Sequence, residues 1–427
     1  MNKFQIKING VTDSDDKYFL LISFLLILIA GFNLFYCLGD LPINDWDEAR
    51  HGVSAFEMNG NGNFTYTTFQ GATDYWNLKP PLGIWLIAGS FRLFGNNPFA
   101  LRFPSALAAL FSIIFTIYIA KRLYNSLVAI LSGCVMATSF WFLFIHSGRT
   151  GDFDAQMTLL VILAVVFLIK MDDKRGYFYW SAFIIGLAFL LKSFAILQIL
   201  IILVCYLYFS KKYRMFKLHH YLYFVLVLMI PILIWGVLRY SYDGMKFFQS
   251  MFSYDLFKRS TTGLEGHNEN ILYYVYFIIW GLFPWSIFTW WIPFYRKKYD
   301  KKEYLLRNET LLMIWILVPL LLFSIAQTKC FWYIYPAYPP TAILIGLLLA
   351  EFFKSNYAFQ RKRTVLIVFL IFILLTEARN IVFIESEKNR NRQIPVIVVN
   401  KDKSLSQSEI FRIEVLKEKV INQPATQ

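Results

Sequence analysis

The segment Tyr18 to Leu38, YFLLISFLLILIAGFNLFYCL, runs directly into Asn44-Asp45-Trp46-Asp47-Glu48-Ala49-Arg50-His51. The apolar run is long enough to cross a hydrocarbon core of roughly 30 Å. The charged stretch after it therefore sits at a membrane surface. Asn44 or Asp45 is expected to cap a short helix reaching about Met58, with Asp47 and Glu48 in its first turn, where the helix dipole favours negative charge. Arg50 and His51 fall one turn on, within reach of Asp47. Such acids often do no more than cap an interfacial helix. Here a second charged element follows, Asn77-Leu78-Lys79-Pro80-Pro81-Leu82.

The same alternation of apolar runs and short charged stretches continues through the chain. Of 427 residues 57% are hydrophobic and 16% charged, the composition of an all-α polytopic membrane protein. The excess of 42 Lys and Arg over 28 Asp and Glu lies in short clusters between apolar runs, so it reads as topology and contact with membrane lipids, not as a nucleic-acid surface. The four cysteines, Cys37, Cys134, Cys205 and Cys330, have no metal-ligand spacing and read as structural. The first run lacks a small-residue cleavage site and is expected to stay as an anchor.

Further spans are expected at Phe99 to Ala120, Leu127 to Ile145, Phe153 to Ile169, Phe178 to Leu191, Phe194 to Phe209, Tyr221 to Leu238, Ile271 to Ile292, Leu311 to Ile325, Tyr333 to Phe353 and Val365 to Thr376, making about eleven with the first. Pro80 to Gly95 reads as an amphiphilic helix. The basic loops, Lys121-Arg122, Lys170 to Arg175, Lys211 to Lys217, Arg296 to Arg307 and Lys354 to Arg363, belong on the cytoplasmic side with the N-terminus. The remaining loops then face outward, and every acid-rich motif is among them. Residues 1–378 form one membrane module with its first outer loop at 39–98. Residues 379–427 form an outward tail too small to bury a core of its own, with a strand at Pro395 to Val399 and a helix at Ser406 to Val420 opened by a Ser406/Glu409 capping box.

Outside the first loop, chemistry concentrates at Gly148-Arg149-Thr150-Gly151-Asp152-Phe153-Asp154. Asp154 lies at the mouth of a span, where ionisable groups usually face a cavity, and Asp152 is equally well explained as the partner of Arg149. Lys192 divides two apolar stretches, where snorkelling is the plainer account. His267 lies between Glu265 and Glu269 in a polar loop, without a partner at metal-ligand spacing. Thr328-Lys329-Cys330 leads into Tyr333-Ile334-Tyr335-Pro336.

Taken in order, the Asp-Glu-Ala-Arg with Glu57-Met58, the Lys-Pro-Pro-Leu, Arg102-Phe103-Pro104-Ser105-Ala106, the Gly-Asp-Phe-Asp, the Gly266-His267 loop with Pro284-Trp285, and the lysine before Tyr-x-x-Tyr-Pro resemble the GT-C superfamily. These glycosyltransferases use polyprenyl-phosphate sugars, and the likeness is to the protein O-mannosyltransferase-like branch that includes lipid A aminoarabinose transferases. The resemblance covers roughly residues 40 to 350 and rests on six motifs in order. It implies a GT-C fold, a polyprenyl-phosphate-sugar donor and a glycolipid or protein acceptor, and it admits a divalent metal. Position by position it implies Asp47 as catalytic base, Glu48 and Glu57 as its acidic companions, Asp154 as the second catalytic acid and Lys79 as the lysine that meets the donor phosphate. On their own residues Arg259 and Lys329 are further candidate ligands of that phosphate, and Arg50, Asp152, Lys192 and His267 candidate supports. Two departures stand out: Leu78 where some relatives place an acid, and Ser193 where Lys-Gly is usual. The rival class is a glycolipid flippase, which needs polar groups and broken helices near the midplane; here the acids gather at one surface.

Overall fold

A computed structural model describes residues 18–263, 269–292, 308–355, 362–394, 398–399, 404–418 and 421–422. The expected basic loop at 296–307 and His267 lie outside the described residues. The chain is a bundle of helices. In order they are α1 (Phe19–Phe35), α2 (Asp47–Asn61), α3 (Leu82–Phe94), α4 (Pro98–Leu123), α5 (Ser126–Ala137), α6 (Asp154–Lys170), α7 (Tyr177–Lys192), α8 (Leu197–Phe209), α9 (Leu218–Asp243), α10 (Tyr273–Gly281), α11 (Asn308–Ile325), α12 (Tyr338–Lys354), α13 (Lys362–Arg392) and α14 (Gln407–Glu414). A small antiparallel hairpin, β1 (Thr68–Phe69) with β2 (Ala72–Thr73), interrupts the segment between α2 and α3, and a parallel pair, β3 (Val398–Val399) with β4 (Ile421–Asn422), lies in the tail.

Among the described residues six helical stretches are long and apolar enough to cross a membrane: Pro98–Leu123, Tyr177–Phe209, Leu218–Asp243, Asn308–Ile325, Phe331–Lys354 and Leu366–Arg392. Shorter apolar helices are Phe19–Phe35, Leu82–Phe94 and Ser126–Ala137. The outer wall is apolar because it faces lipid: α9 exposes Leu226, Ile230, Leu233, Ile234 and Val237. Towards the centre small residues let helices approach, as where a β-carbon at Gly346 of α12 would strike Ser132 of α5.

Several segments depart from their expected continuity, each for a local reason. The stretch 271–292 breaks after Gly281, where Pro284 removes a donor and the chain tightens into a 3₁₀ turn over Trp285–Trp291. The stretch 127–145 ends its helix at Ala137 and resumes as a single turn, Phe140–Phe144. The final span grows from the twelve expected residues to a 31-residue helix, so the segment after Thr376 extends the bundle instead of starting a loose tail.

The described part of the tail packs on the start of the bundle. The Ser406/Glu409 capping box starts α14, shorter than expected because it ends at Glu414. Phe411 is fully buried and its ring lies where a β-carbon at Gly52 of α2 would stand, while Ser408 N donates to Asp45 Oδ1 at 2.7 Å. Only glycine at position 52 admits that ring.

Candidate functional site

The acidic stretch enters α2 without a side-chain cap from Asn44 or Asp45. Glu48 reaches back instead and accepts from Asn44 N at 2.8 Å and Asn44 Nδ2 at 2.9 Å. Its carboxylate is held from the other side by Arg102 of α4, Nε to Oε1 at 2.6 Å and NH2 to Oε2 at 3.2 Å, and by Gly151 N at 2.9 Å. Arg102 completes its fork on the carbonyls of Leu38, Leu41 and Pro42. Both partners are buried. Glu48, expected to act in catalysis, thus staples the first loop to α4 and to the second acidic motif, because every donor around it already claims an oxygen.

Asp47 faces the other way, into a cleft of about 1020 Å³. Lys79 Nζ donates to Asp47 Oδ2 at 3.0 Å and lies 3.4 Å from His51 Nε2. His51 Nδ1 sits 3.0 Å from Gly151 O, which can only accept, so the ring proton is on Nδ1 and Nε2 offers its lone pair to Lys79. Burial, then the Lys79 ammonium, push His51 down to about 3, keeping the ring neutral. Burial works upward on the Asp47 carboxyl, but the Lys79 ammonium, by charge and hydrogen bond, and the neighbouring histidines together outweigh it, leaving Asp47 well below the ordinary carboxylate range. The expected contact of Arg50 with Asp47 is not made. Arg50 turns to Asp74, Nε to Oδ2 at 2.8 Å and NH2 to Oδ1 at 2.7 Å.

The second motif lines the same cleft. Lys192 Nζ donates to Asp154 Oδ1 at 2.6 Å, so this lysine is an ion-pair partner and does not snorkel. It stands where α7 ends, and the next residue, Ser193, has φ 36°, a region that favours glycine. His146 lies between the two acids, Nδ1 3.2 Å from Asp154 Oδ2 and Nε2 3.4 Å from Asp152 Oδ1, with its ring stacked on Trp332 at 3.8 Å. Burial pushes the Asp152 carboxyl up to about 6. Burial disfavours the charged His146 ring, but Asp152 and Asp154 outweigh it and raise His146. Arg149 does not pair with Asp152. It donates to Asn33 O at 2.6 Å and Tyr36 O at 2.7 Å, tying the end of α1 to this loop.

Arg259 also lines the cleft, held by Asp255 at 3.2 Å and by the Tyr333 hydroxyl at 3.0 Å. Lys329 does not. Its neighbours Thr328 and Cys330 line the cleft, whereas buried Lys329 is not among the lining residues. Glu57 is one face further round α2 and accepts from Gly71 N of the hairpin at 2.9 Å, outside the cleft. Sequence reasoning missed His146, Trp332, Tyr333 and Asp255. The signal for His146 was its place as the first polar residue after an apolar run and six residues before Asp152.

Asp47, His146 and Asp152 bring ligand atoms within 4.8 Å of one another. This is a donor set of a kind divalent cations take, but the Lys79 ammonium 3.0 Å from Asp47 occupies that side of the cluster. As arranged, Asp47 and Asp154 already have ammonium partners in Lys79 and Lys192. The four cysteines are free thiols, and Cys37 and Cys330 are not joined.

Comparison with known proteins places these features in context. Residues 78–235 match the family model described as dolichyl-phosphate-mannose-protein mannosyltransferase. An undecaprenyl phosphate-alpha-4-amino-4-deoxy-L-arabinose arabinosyl transferase of Pseudomonas fluorescens is 28% identical over 343 residues, covering 77% of this chain and 58% of that protein. One from Enterobacter sp. is 27% identical over 334 residues, covering 75% and 58%. The chain thus spans under two thirds of the length of these relatives. The crystal structure of ArnT from Cupriavidus metallidurans bound to undecaprenyl phosphate superposes with a TM-score of 0.72 at 16% identity, covering 96% of this chain and 86% of that one. The oligosaccharyltransferase of Archaeoglobus fulgidus gives 0.55 at 12% identity, covering 87% and 56%. At such identities the likeness is one of fold.

Proposed function

We propose that this chain, a membrane protein of the GT-C superfamily, is an inverting glycosyltransferase that moves a sugar from a polyprenyl-phosphate carrier to a lipid A-like or protein acceptor at the outer face of a bacterial inner membrane. The observation that carries the reading is the Asp47–Lys79 pair, a carboxylate and an ammonium 3.0 Å apart inside one cleft whose other walls include apolar Leu256, Leu322 and Phe323. A phosphate on a long prenyl tail needs a cation for its head beside an apolar path for its tail, and the cleft offers both.

In this reading the donor phosphate takes Lys79, with Lys192 and Arg259 on the same cleft adding positive potential. Once the ammonium turns to phosphate, the carboxylate it was holding low is released, and Asp47 becomes a stronger base. Asp47 then accepts the proton of the acceptor hydroxyl as the hydroxyl oxygen bonds to the anomeric carbon. The bond from that carbon to the phosphate oxygen breaks on the opposite face, and the polyprenyl phosphate leaves with the electron pair. Neutral His51 aims Lys79, while Asp154 and Asp152 shape the second wall. The arabinosyl transferase relatives, named for an undecaprenyl-phosphate sugar, support the donor class.

The test is donor dependence. Protein purified in detergent should transfer sugar from a polyprenyl-phosphate donor and give nothing with nucleotide sugars alone. Lys79→Ala should raise donor KM by about tenfold or more, the loss of one charge-assisted contact, with acceptor KM little changed. Transfer from a nucleotide sugar without any lipid carrier would overturn the proposal.

A further inference from the structure

The tail meets the site from behind. Past α13 the chain comes back to the bundle as α14, whose Ile410 and Phe411, with Val415 just after it, are buried. Three contacts of this segment fall on α2 or on the turn that enters it. Ser408 N donates to Asp45 Oδ1 at 2.7 Å, two residues before Asp47. The fully buried Phe411 ring fills the space beside Gly52. Lys417 Nζ lies 4.8 Å from the centre of the Phe56 ring, one turn further along α2.

A β-carbon at Gly52 would strike the Phe411 ring and come within 3.3 Å of Leu101 of α4, so α2 is wedged between the tail and α4. Asp47 stands five residues from Gly52, about 140° round the helix, on the side turned to Lys79. The packing on the Gly52 face therefore sets how far the Asp47 face reaches into the cleft. Leu101 lies in turn against Gly151, whose carbonyl faces His51 and whose N–H holds Glu48. The wedge thus bears on the residue that joins the two acidic motifs.

The entry to α2 needs support from outside. Trp46 holds φ 68°, where a bulky residue sits at a cost, and no side chain caps the helix there. Glu48 ties the turn from within through Asn44, and the tail ties it from the other side through Asp45.

The geometry assigns the tail a part in catalysis: we propose that Phe411 and Ser408 are positioning residues, which hold α2 against α4 so that the Asp47 carboxylate stands at its working distance from Lys79. This rests on the proposed glycosyl transfer and gives the tail a task within it. Neither residue touches substrate; each acts through α2. A reacting group misplaced by about 1 Å costs roughly 10²-fold in rate. Loss of the ring behind α2 is therefore felt at the carboxylate, while Lys79, carried by the segment after the hairpin, keeps its hold on the donor.

The test follows a single turnover in detergent, with the full chain in saturating excess over labelled polyprenyl-phosphate sugar and with whichever acceptor, lipid A or a serine-containing peptide, the wild type uses. Inactive molecules leave the rate constant unchanged under these conditions, so a merely destabilised variant reads as wild type. Phe411→Ala should lower the rate constant about tenfold or more, with donor KM from steady-state turnover unchanged. Phe411→Leu, which keeps an apolar group beside Gly52, should recover most of the loss. Asp45→Ala keeps the apolar contacts of the tail and removes only the acceptor for Ser408 N, so it should lower the rate constant about threefold, and Asp45→Asn should return it toward wild type. Phe178→Ala opens a comparable hole beside Phe216 and Phe224, at the opposite end of α7 from Lys192, and should reduce heat resistance without changing the rate constant. An unchanged rate constant in Phe411→Ala, or in Asp45→Ala should the first variant not fold, would overturn the proposal. So would an equal fall in Phe178→Ala, or a higher donor KM in place of a slower step. If the wild type moves sugar to neither acceptor, the glycosyl-transfer reading fails, and the hold of the tail on α2 is read from amide hydrogen exchange. Faster exchange across Asp47–Asn61 in Phe411→Ala than in Phe178→Ala supports it, and equal exchange refutes it.

Discussion

Replacing Glu48 by glutamine separates the two acids that stand side by side at the start of α2. The carboxylate oxygens of Glu48 accept from donors on every side: Arg102 Nε and Gly151 N on Oε1, and Arg102 NH2, Asn44 N and Asn44 Nδ2 on Oε2. Glutamine keeps the volume but turns one acceptor into a donor. Whichever way the amide sits, its NH2 meets at least two hydrogen-bond donors, and the Arg102 guanidinium, 1% exposed, loses its counter-charge. Breaking a buried pair from one side costs roughly 3–5 kcal/mol, a large part of the 5–15 kcal/mol or so that holds a typical domain. Glu48→Gln should therefore survive heating poorly, read as monodisperse protein recovered by size exclusion after a temperature series, while the folded fraction retains turnover. Asp47→Asn should do the reverse: its side chain and that of Lys79 are 25% and 20% exposed, so melting changes little, and turnover falls roughly 10²-fold or more for want of a general base. A Glu48→Gln protein that melts like wild type but is inactive would refute the reasoning and make Glu48 a residue that touches substrate.

Three further outcomes follow from the geometry. The Asp152 carboxyl ionises near 6 in the folded protein and near the ordinary value of about 3.9 when unfolded, so between those pH values the unfolded chain holds fewer protons and stability falls as pH rises; Asp152→Asn should match wild type in heat resistance below about pH 4 and exceed it above about pH 6, and equal melting across that range would contradict the burial argument. Ser193→Gly relieves a φ of 36° and should stabilise the protein by roughly 1 kcal/mol, seen as a small rise in melting temperature with donor KM unchanged. Reporter fusions should read cytoplasmic after Lys121 and Ser210 and external after Gln427, as the basic loops require; a cytoplasmic signal at Gln427 alone would show a miscount among the last spans.

The helical membrane architecture was legible because it follows from hydropathy, which is additive along the chain. Helix breaks were read unevenly: the division at Lys192 was expected and is present, whereas the break after Gly281, inside the span expected at 271–292, and the helix end at Ala137 were not expected. The extension of α13 to Arg392 was missed because its last two turns are polar, Glu385 to Arg392, and a hydropathy reading stops at Thr376. Residues that act through local sequence, Asp47 beside Lys79 and Asp152 beside Asp154, were found as members of the site. Residues that enter it from afar were not. His146 reaches the acids through a turn at φ 53°, and Asp255 and Tyr333 come from segments more than seventy residues apart, which no spacing rule connects.

Roles proved harder to read than membership, and the reason is charge balance. The resemblance singles out Asp47 over Glu48 and Lys79 over Lys329, but residue type and spacing alone give no reason for either choice. Folding distributes partners unevenly among them. Glu48 receives an arginine fork and three other donors, whereas Asp47 receives one ammonium that an incoming phosphate can draw away. A carboxylate held at once by backbone N–H groups, a neighbouring amide and a buried guanidinium cannot change its bonding without disrupting its surroundings. One whose partner is a single lysine at the edge of a cleft can, and in the proposed mechanism this exchangeability suits Asp47 to be the base and Glu48 to be its scaffold. The same argument sets Lys79 apart from Arg102 and Arg149, whose guanidinium groups are held by protein carbonyls or by Glu48 and have no freedom to follow a substrate.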